Sequence, residues 1–172
     1  MTKTVKPLTG IELKKVVDYF LNFTPDEDLM AGANRKNYPS RKTWIKRLLE
    51  DTQKHITKRQ FFYLGWFLDK KLIGHCNINK IAFGKEAYIH LHLWERKLRR
   101  QGLATHFLVQ ATRFYFKNFR LQKISCEPKS DNTASKKVLE KCGFILQDTY
   151  ITKPSMLSIE HEVSRYELLG PR

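Results

Sequence analysis

Cysteine is scarce in this sequence and forms no pattern. Cys76, Cys126 and Cys142 are the only three, an odd number lacking the paired spacing of a disulfide framework or a thiolate metal site. A disulfide-stapled secreted module and a zinc ribbon are thereby excluded, no metal is expected, and three reduced thiols point to a cytoplasmic setting. Long apolar runs are missing as well. No stretch approaches the roughly 18 residues of a membrane span. The basic start from Met1 to Lys6 leads into no apolar core of a signal peptide, so neither secretion nor insertion is expected. Glycine and proline number only 8 and 6. With no linker, repeat or low-complexity tract, residues 1–172 read as one domain. The largest shortage is of acid: 17 Asp and Glu stand against 32 Lys and Arg, a formal net charge of +15. That imbalance does not speak to fold, but it asks for an anionic partner such as nucleic acid, a membrane surface or a phosphate-bearing cofactor.

What is present alternates between helical and strand periodicity. Thr9 and Glu12 have capping-box spacing, and Ile11, Val16, Val17, Phe20 and Leu21 then fall on one helical face. Asn22 to Pro39 is a polar break containing Asp26, Glu27, Asp28 and Gly32, a candidate substrate loop. Ser40 opens a second helix with Trp44, Ile45, Leu48 and Leu49 inward. Phe61 to Leu68 and Leu72 to Asn79 read as a β-hairpin around Asp69, Lys70 and Lys71. The run Tyr88 to Trp94 alternates strictly, with Ile89, Leu91 and Leu93 on one face and Tyr88, His90, His92 and Trp94 on the other. A basic amphipathic helix follows from Leu103 to about Phe119, then a short strand at Lys123 to Cys126 and a helix over Asn132 to Cys142 closed by Gly143. Two strands, Phe144 to Ile151 and His161 to Leu168, complete an α/β (α+β) chain with a predominantly antiparallel front half.

Two motifs carry chemistry. Arg99, Arg100, Gln101, Gly102, Leu103, Ala104 and Thr105 lie between the alternating strand and the basic helix. Small residues at Gly102 and Ala104 let the main chain approach an anion. The helix start offers unpaired N–H donors and a favourable dipole, while the arginines and the Thr105 hydroxyl add further donors. The second motif runs from Asn132 and Ser135 to Val138, Leu139, Cys142, Gly143 and Phe144, a polar helix start that ends in glycine before a strand.

Together the two resemble the motifs of the GNAT acetyltransferases, whose cofactor turn has Arg or Gln, two residues, Gly, one residue, then Gly or Ala, matched here by Arg99, Gly102 and Ala104. The resemblance spans Leu72 to Phe144 and is closest to the branch that acetylates ribosomal-protein N-termini. It implies a GNAT fold, a mixed, mostly antiparallel sheet flanked by helices and splayed between Tyr88 to Trp94 and Lys123 to Cys126. It implies acetyl-CoA as cofactor, with Leu93 and Trp94 main chain on the pantetheine arm, Arg99 to Thr105 on the pyrophosphate, and Asn132 and Ser135 near the thiol. Lys97 and Lys136 are candidates for the 3'-phosphate.

The implied reaction is direct attack of a primary amine, a peptide or protein N-terminus or a small amine, on the thioester. Its base should titrate near neutral pH. His90 is the first candidate and His92 the second, with Glu86 and Glu95 in reserve should a bulge turn the histidines away. The family's tyrosine acid is replaced by Leu139, leaving Ser135 as substitute. The basic surface favours neutral or acidic acceptors unless Asp26, Glu27 and Asp28 make a local exception. Arg113, Lys117, Arg120 and Lys123 form a stripe that could face ribosomal RNA. A monomer or homodimer is expected. The competing reading is a CoA-sensing or RNA- or ribosome-binding module on the same scaffold.

Overall fold

The computed structural model describes residues 1–171. Seven strands form one sheet in the order β1-β2-β3-β4-β5-β7-β6. They are β1 (Lys3–Pro7), β2 (Phe62–Leu68), β3 (Lys71–Ala82), β4 (Glu86–Leu93), β5 (Lys123–Cys126), β6 (Ile145–Thr152) and β7 (His161–Leu169). Every neighbouring pair is antiparallel except β4 and β5. The expected hairpin closes through Asp69 and Lys70, both at positive φ (46° and 68°), which matches the twist of the flanking strands.

The helices are α1 (Ile11–Leu21), α2 (Pro25–Met30), α3 (Arg41–Thr52), α4 (Leu103–Phe119) and α5 (Thr133–Lys141). They cover both faces of the sheet. On one side α4 and α5 bury Phe107, Leu108, Ala111, Tyr115 and Leu139 against Leu64, Trp66, Cys76, Ile78 and Ile89. Trp66 stacks on Phe107 with ring centroids 5.6 Å apart. Fully buried side chains of this size contribute about 1.5–3 kcal/mol each, which fixes α4 against the sheet. On the other side α1 and α3 bury Leu13, Val16, Val17, Trp44 and Leu48 over Phe67.

Several expectations change in detail. Ile11 is 70% exposed, and Leu13 takes the inward position with Val16 and Val17. Only half of the expected capping box forms: Glu12 Oε2 accepts from Thr9 N at 3.2 Å, but the helix is capped by Gly10 without a side-chain bond. The expected loop from Asn22 to Pro39 contains α2, whose Thr24 and Glu27 make a complete capping box with Pro25 in the first turn. The basic strand β1 escapes the sequence pattern because, of the five residues of this edge strand, only Val5 is half-buried and the rest are exposed. No described helix is long and apolar enough to cross a membrane.

Candidate active site

The parting of β4 from β5 sets the geometry. Their parallel pairing covers only Glu86↔Lys123, Ala87↔Ile124 and Tyr88↔Ser125, after which β5 ends at Cys126 while β4 continues to Leu93. A gap in the sheet therefore opens beside Ile89 to Leu93. The antiparallel alternation with β3 decides which main-chain groups face it. Trp94 N donates to Ile73 O at 3.0 Å, so Trp94 and the residues two and four before it point their backbone groups at β3. Leu93 and Leu91 point theirs into the gap. The Trp94 N–H is thus taken by β3, and Leu91, passed over in the sequence, joins Leu93 at the opening.

The turn before α4 is shaped for an anion. Arg100 has φ 62° and Gly102, the helix N-cap, has φ 71° with nothing within 4 Å of where a Cβ would sit. The helix ladder begins with His106 N bonded to Gly102 O, leaving the N–H groups of Leu103, Ala104 and Thr105 directed out of the helix start. Arg99 and Arg100 are exposed, and Gln101 Nε2 is anchored to Lys97 O at 2.8 Å. Lys97 pairs with Glu95 at 3.1 Å, and Lys136 donates to Ser130 O at 3.1 Å. Both lysines thus have partners within the chain.

A cavity of about 690 Å³ lies under α1 and α3 and reaches the gap. His90, His92, Asn132 and Ser135 all line it, together with Leu91 and Cys126. The structure therefore brings the candidate histidines to the same space as the start of α5. Asn132 caps α5, its Oδ1 accepting from Ser135 N at 3.1 Å, while Ser135 faces the cavity. Leu139 is wholly buried and cannot supply a replacement acid. Glu86 and Glu95 are not among the cavity's lining residues; they pair with Lys123 and with Lys71 and Lys97.

Aromatic packing holds the histidines. His75 of β3, opposite His92 in register, stacks on it with centroids 5.0 Å apart. Phe20 meets the His92 ring edge-on at 4.9 Å, and Tyr19 stacks on Trp94 at 5.2 Å. Burial holds His90 at about 4, helped by the charge of Lys80, and His92 at about 3, helped by His90 and Arg99. His75 is also pushed well below the ordinary histidine range, first by burial. The expectation of a base titrating near neutrality is corrected: these imidazoles stay neutral, because an apolar wall disfavours their charged form. His90 Nε2, His75 Nε2 and Asn79 Oδ1 are buried without a hydrogen-bond partner.

Of the acidic stretch on α2, Asp26 is exposed without an ion-pair partner among the described residues but does not line the cavity, and the other two are engaged. Asp28 is buried and bound by Arg35 at 2.9 Å and Tyr38 at 3.1 Å; Glu27 caps α2 and lies 3.6 Å from Arg96. Within the expected basic stripe, Lys123 is neutralised by Glu86 and Glu167, each at 3.0 Å, so only Arg113 and Lys117 of α4 and Arg120 at its C-terminal cap remain exposed.

Residues 8–145 match the family model described as an acetyltransferase (GNAT) domain. The chain belongs to the GNAT acetyltransferase family. Enzymes of this family use acetyl-CoA, and the fold matches GNAT acetyltransferases of known structure throughout. The spermidine N-acetyltransferase of Vibrio cholerae, solved with CoA and spermine, superposes with TM-score 0.73 at 19% identity over 97% of this chain and 95% of that one. The ribosomal-protein-S5-alanine acetyltransferase of Vibrio fischeri gives 0.76 at 17% identity, covering 98% and 93%. An aminoglycoside acetyltransferase solved with coenzyme A gives 0.73 at 16%, covering 98% and 95%. No curated protein matches the chain by sequence.

Proposed function

We propose that this chain, acting as one domain in the reducing cytoplasm, transfers an acetyl group to a primary amine, with His90 as proton acceptor. The observation that carries the reading is the cavity that His90, Asn132 and Ser135 line together beside the gap at β4, with His90 Nε2 unpartnered. Bound acetyl-CoA supplies an acetyl thioester, whose C–S bond breaks as the C–N bond to the acceptor forms. The residues present fit it: Leu103, Ala104 and Thr105 offer N–H groups to the pyrophosphate, assisted by Arg99, Arg100, Gln101 and the open face of Gly102. Leu93 and Leu91 offer main-chain groups to the arm, and Asn132 and Ser135 border its inner end.

His90 accepts a proton from the acceptor nitrogen at Nε2, a site kept free of competing donors. Because its imidazole is held near 4, it is already in its base form at physiological pH, and the same shift makes it a weaker proton acceptor than an ordinary imidazole. His92, backed by the stacked ring of His75, shapes the wall beside it, and Ser135 holds a hydroxyl proton to offer a leaving thiolate. A peptide or protein N-terminus, or a small amine, is the acceptor. Thiol release from acetyl-CoA with a panel of primary amines, read with a chromogenic thiol reagent and product mass, tests the reading. Acetylated product is expected. CoA binding without release for any amine would leave only a CoA-sensing module.

A further inference from the structure

The charged groups on the cavity wall are almost all of one sign. Arg47, Arg59, Lys80 and Lys129 line it with a single carboxylate, Glu127. They are not equally free. Glu127 accepts from the Tyr150 hydroxyl, Arg59 is bound to Asp51 at 3.2 Å, and Lys129 pairs with Asp131 at 3.4 Å. Arg47 and Lys80 have no carboxylate partner among the described residues, and Asp26, Glu27 and Asp28 are not among the cavity's lining residues.

The backbone itself delivers Lys80 to this wall. β3 is irregular between Asn79 and Ala82, and Lys80 sits at φ 46°, a conformation disfavoured for any side chain but glycine. In a regular strand Asn79 and Lys80 would face opposite sides; the irregularity brings both to the cavity. The Lys80 ammonium lies 4.6 Å from the centroid of the Tyr88 ring, two residues before His90, and its charge reinforces the effect of burial on the His90 imidazole. Asn79 and His90 both line the cavity, and Asn79 Oδ1 and His90 Nε2 are buried without a partner, two polar groups whose hydrogen-bonding capacity nothing in the chain meets. Disfavoured backbone conformations cluster at functional sites, and here one lies at the cavity wall.

We propose that the acceptor is an amine whose carrier holds a carboxylate close by, Lys80 and Arg47 taking the carboxylate while the amine lies against Asn79 and His90. This rests on the acetyltransferase reading. Polycations meet four cationic side chains against one carboxylate, Glu127, at that wall, so net repulsion disfavours them.

The experiment compares kcat and KM for short peptides of equal length whose second and third residues are acidic, neutral or lysine, together with spermidine. The enzymes are wild type, Lys80→Gln, Lys80→Gly and Lys80→Arg. Lys80 is exposed, and glycine suits its φ, so loss of charge separates from loss of backbone shape. Wild type should favour the acidic peptide over the neutral one about tenfold in kcat/KM, with spermidine poorest. Lys80→Gln and Lys80→Gly should lose that preference mainly through KM, and Lys80→Arg should keep it. A preference for spermidine or the lysine peptide, or an acidic preference that survives Lys80→Gln, overturns the assignment while leaving the acetyltransferase reading intact. No acetyl transfer to any amine overturns both.

Discussion

Trp94 Nε1, just past the strand that carries His90 and His92, donates to His75 Nδ1 of β3 at 2.9 Å. The bond fixes the tautomer of a neutral His75, placing its proton on Nε2, and it orients the ring on which His92 stacks. Trp94→Phe keeps the stacking surface toward Tyr19 but leaves His75 Nδ1 buried and unpaired. We expect a stability loss of about 1–3 kcal/mol in urea unfolding, the usual penalty for an orphaned buried acceptor. An unchanged midpoint would show that the bond contributes nothing net.

Substitution at Gly102 should act on the cofactor before it acts on the fold. The residue has φ 71° and open space around its Cβ position, at the start of α4 where three N–H groups point outward. Gly102→Glu places a carboxylate among those donors, and acetyl-CoA binding by calorimetry should fall at least a hundredfold, the order expected when charge repulsion replaces attraction at an anion site. Wild-type affinity would remove the turn from the site.

His90→Ala should lower kcat about a hundredfold or more, the low end for losing a positioned base, with acetyl-CoA affinity unchanged. The pH dependence follows from the direction of its shift. An imidazole held near 4 is in its base form at every pH above about 5. The rise of rate toward alkaline pH therefore belongs to the acceptor amine, and a less basic acceptor should move that limb to lower pH. A limb fixed between 6 and 7 for acceptors of different basicity would contradict the neutral histidine.

Acid should destabilise the fold in two steps. His75, His90 and His92 are depressed in the folded state, so the unfolded chain binds more protons as pH falls through about 6.5. Their neutral-state contribution is complete above that pH and is lost toward the folded values of about 4 and 3 for His90 and His92. Asp51 follows below the ordinary carboxylate range. Burial raises its carboxyl, but Lys54 at 2.9 Å and the amides of Gln60 and Phe61 outweigh that and lower it. Thermal melts from pH 7 to 3 should show Tm falling first below pH 6.5. Replacing His92 with Phe should flatten that first step; an identical slope would show that the histidines do not carry it.

Hydrophobic period and two short motifs made much of the fold legible from sequence. The strand from Tyr88 to Trp94 alternates because one face packs on α4 and the other faces the cavity, and that alternation alone placed His90 and His92 together. Gly102 and Gly143 mark backbone positions at φ 71° and 87°, a local demand readable as glycine before any fold is known. The helix α2 was also within reach, since Thr24, Pro25 and Glu27 spell a capping box, but six residues with a charged face give too little apolar period to stand out.

What the chain determined by itself was whatever depends on neighbours in sequence: strand and helix faces, capping, glycine turns, and the excess of positive charge. Tertiary structure decided the rest. Whether His92 titrates near 6.5 or near 3 depends on what buries it, and the rings packed on it, Phe20 of α1 and His75 of β3, come from elements distant in the chain. The cavity wall likewise joins Arg47 of α3 to Lys80 of β3, and the side to which Lys80 turns was set by an irregular register with β4. Long-range packing governs desolvation and charge proximity, and neither leaves a period in the sequence.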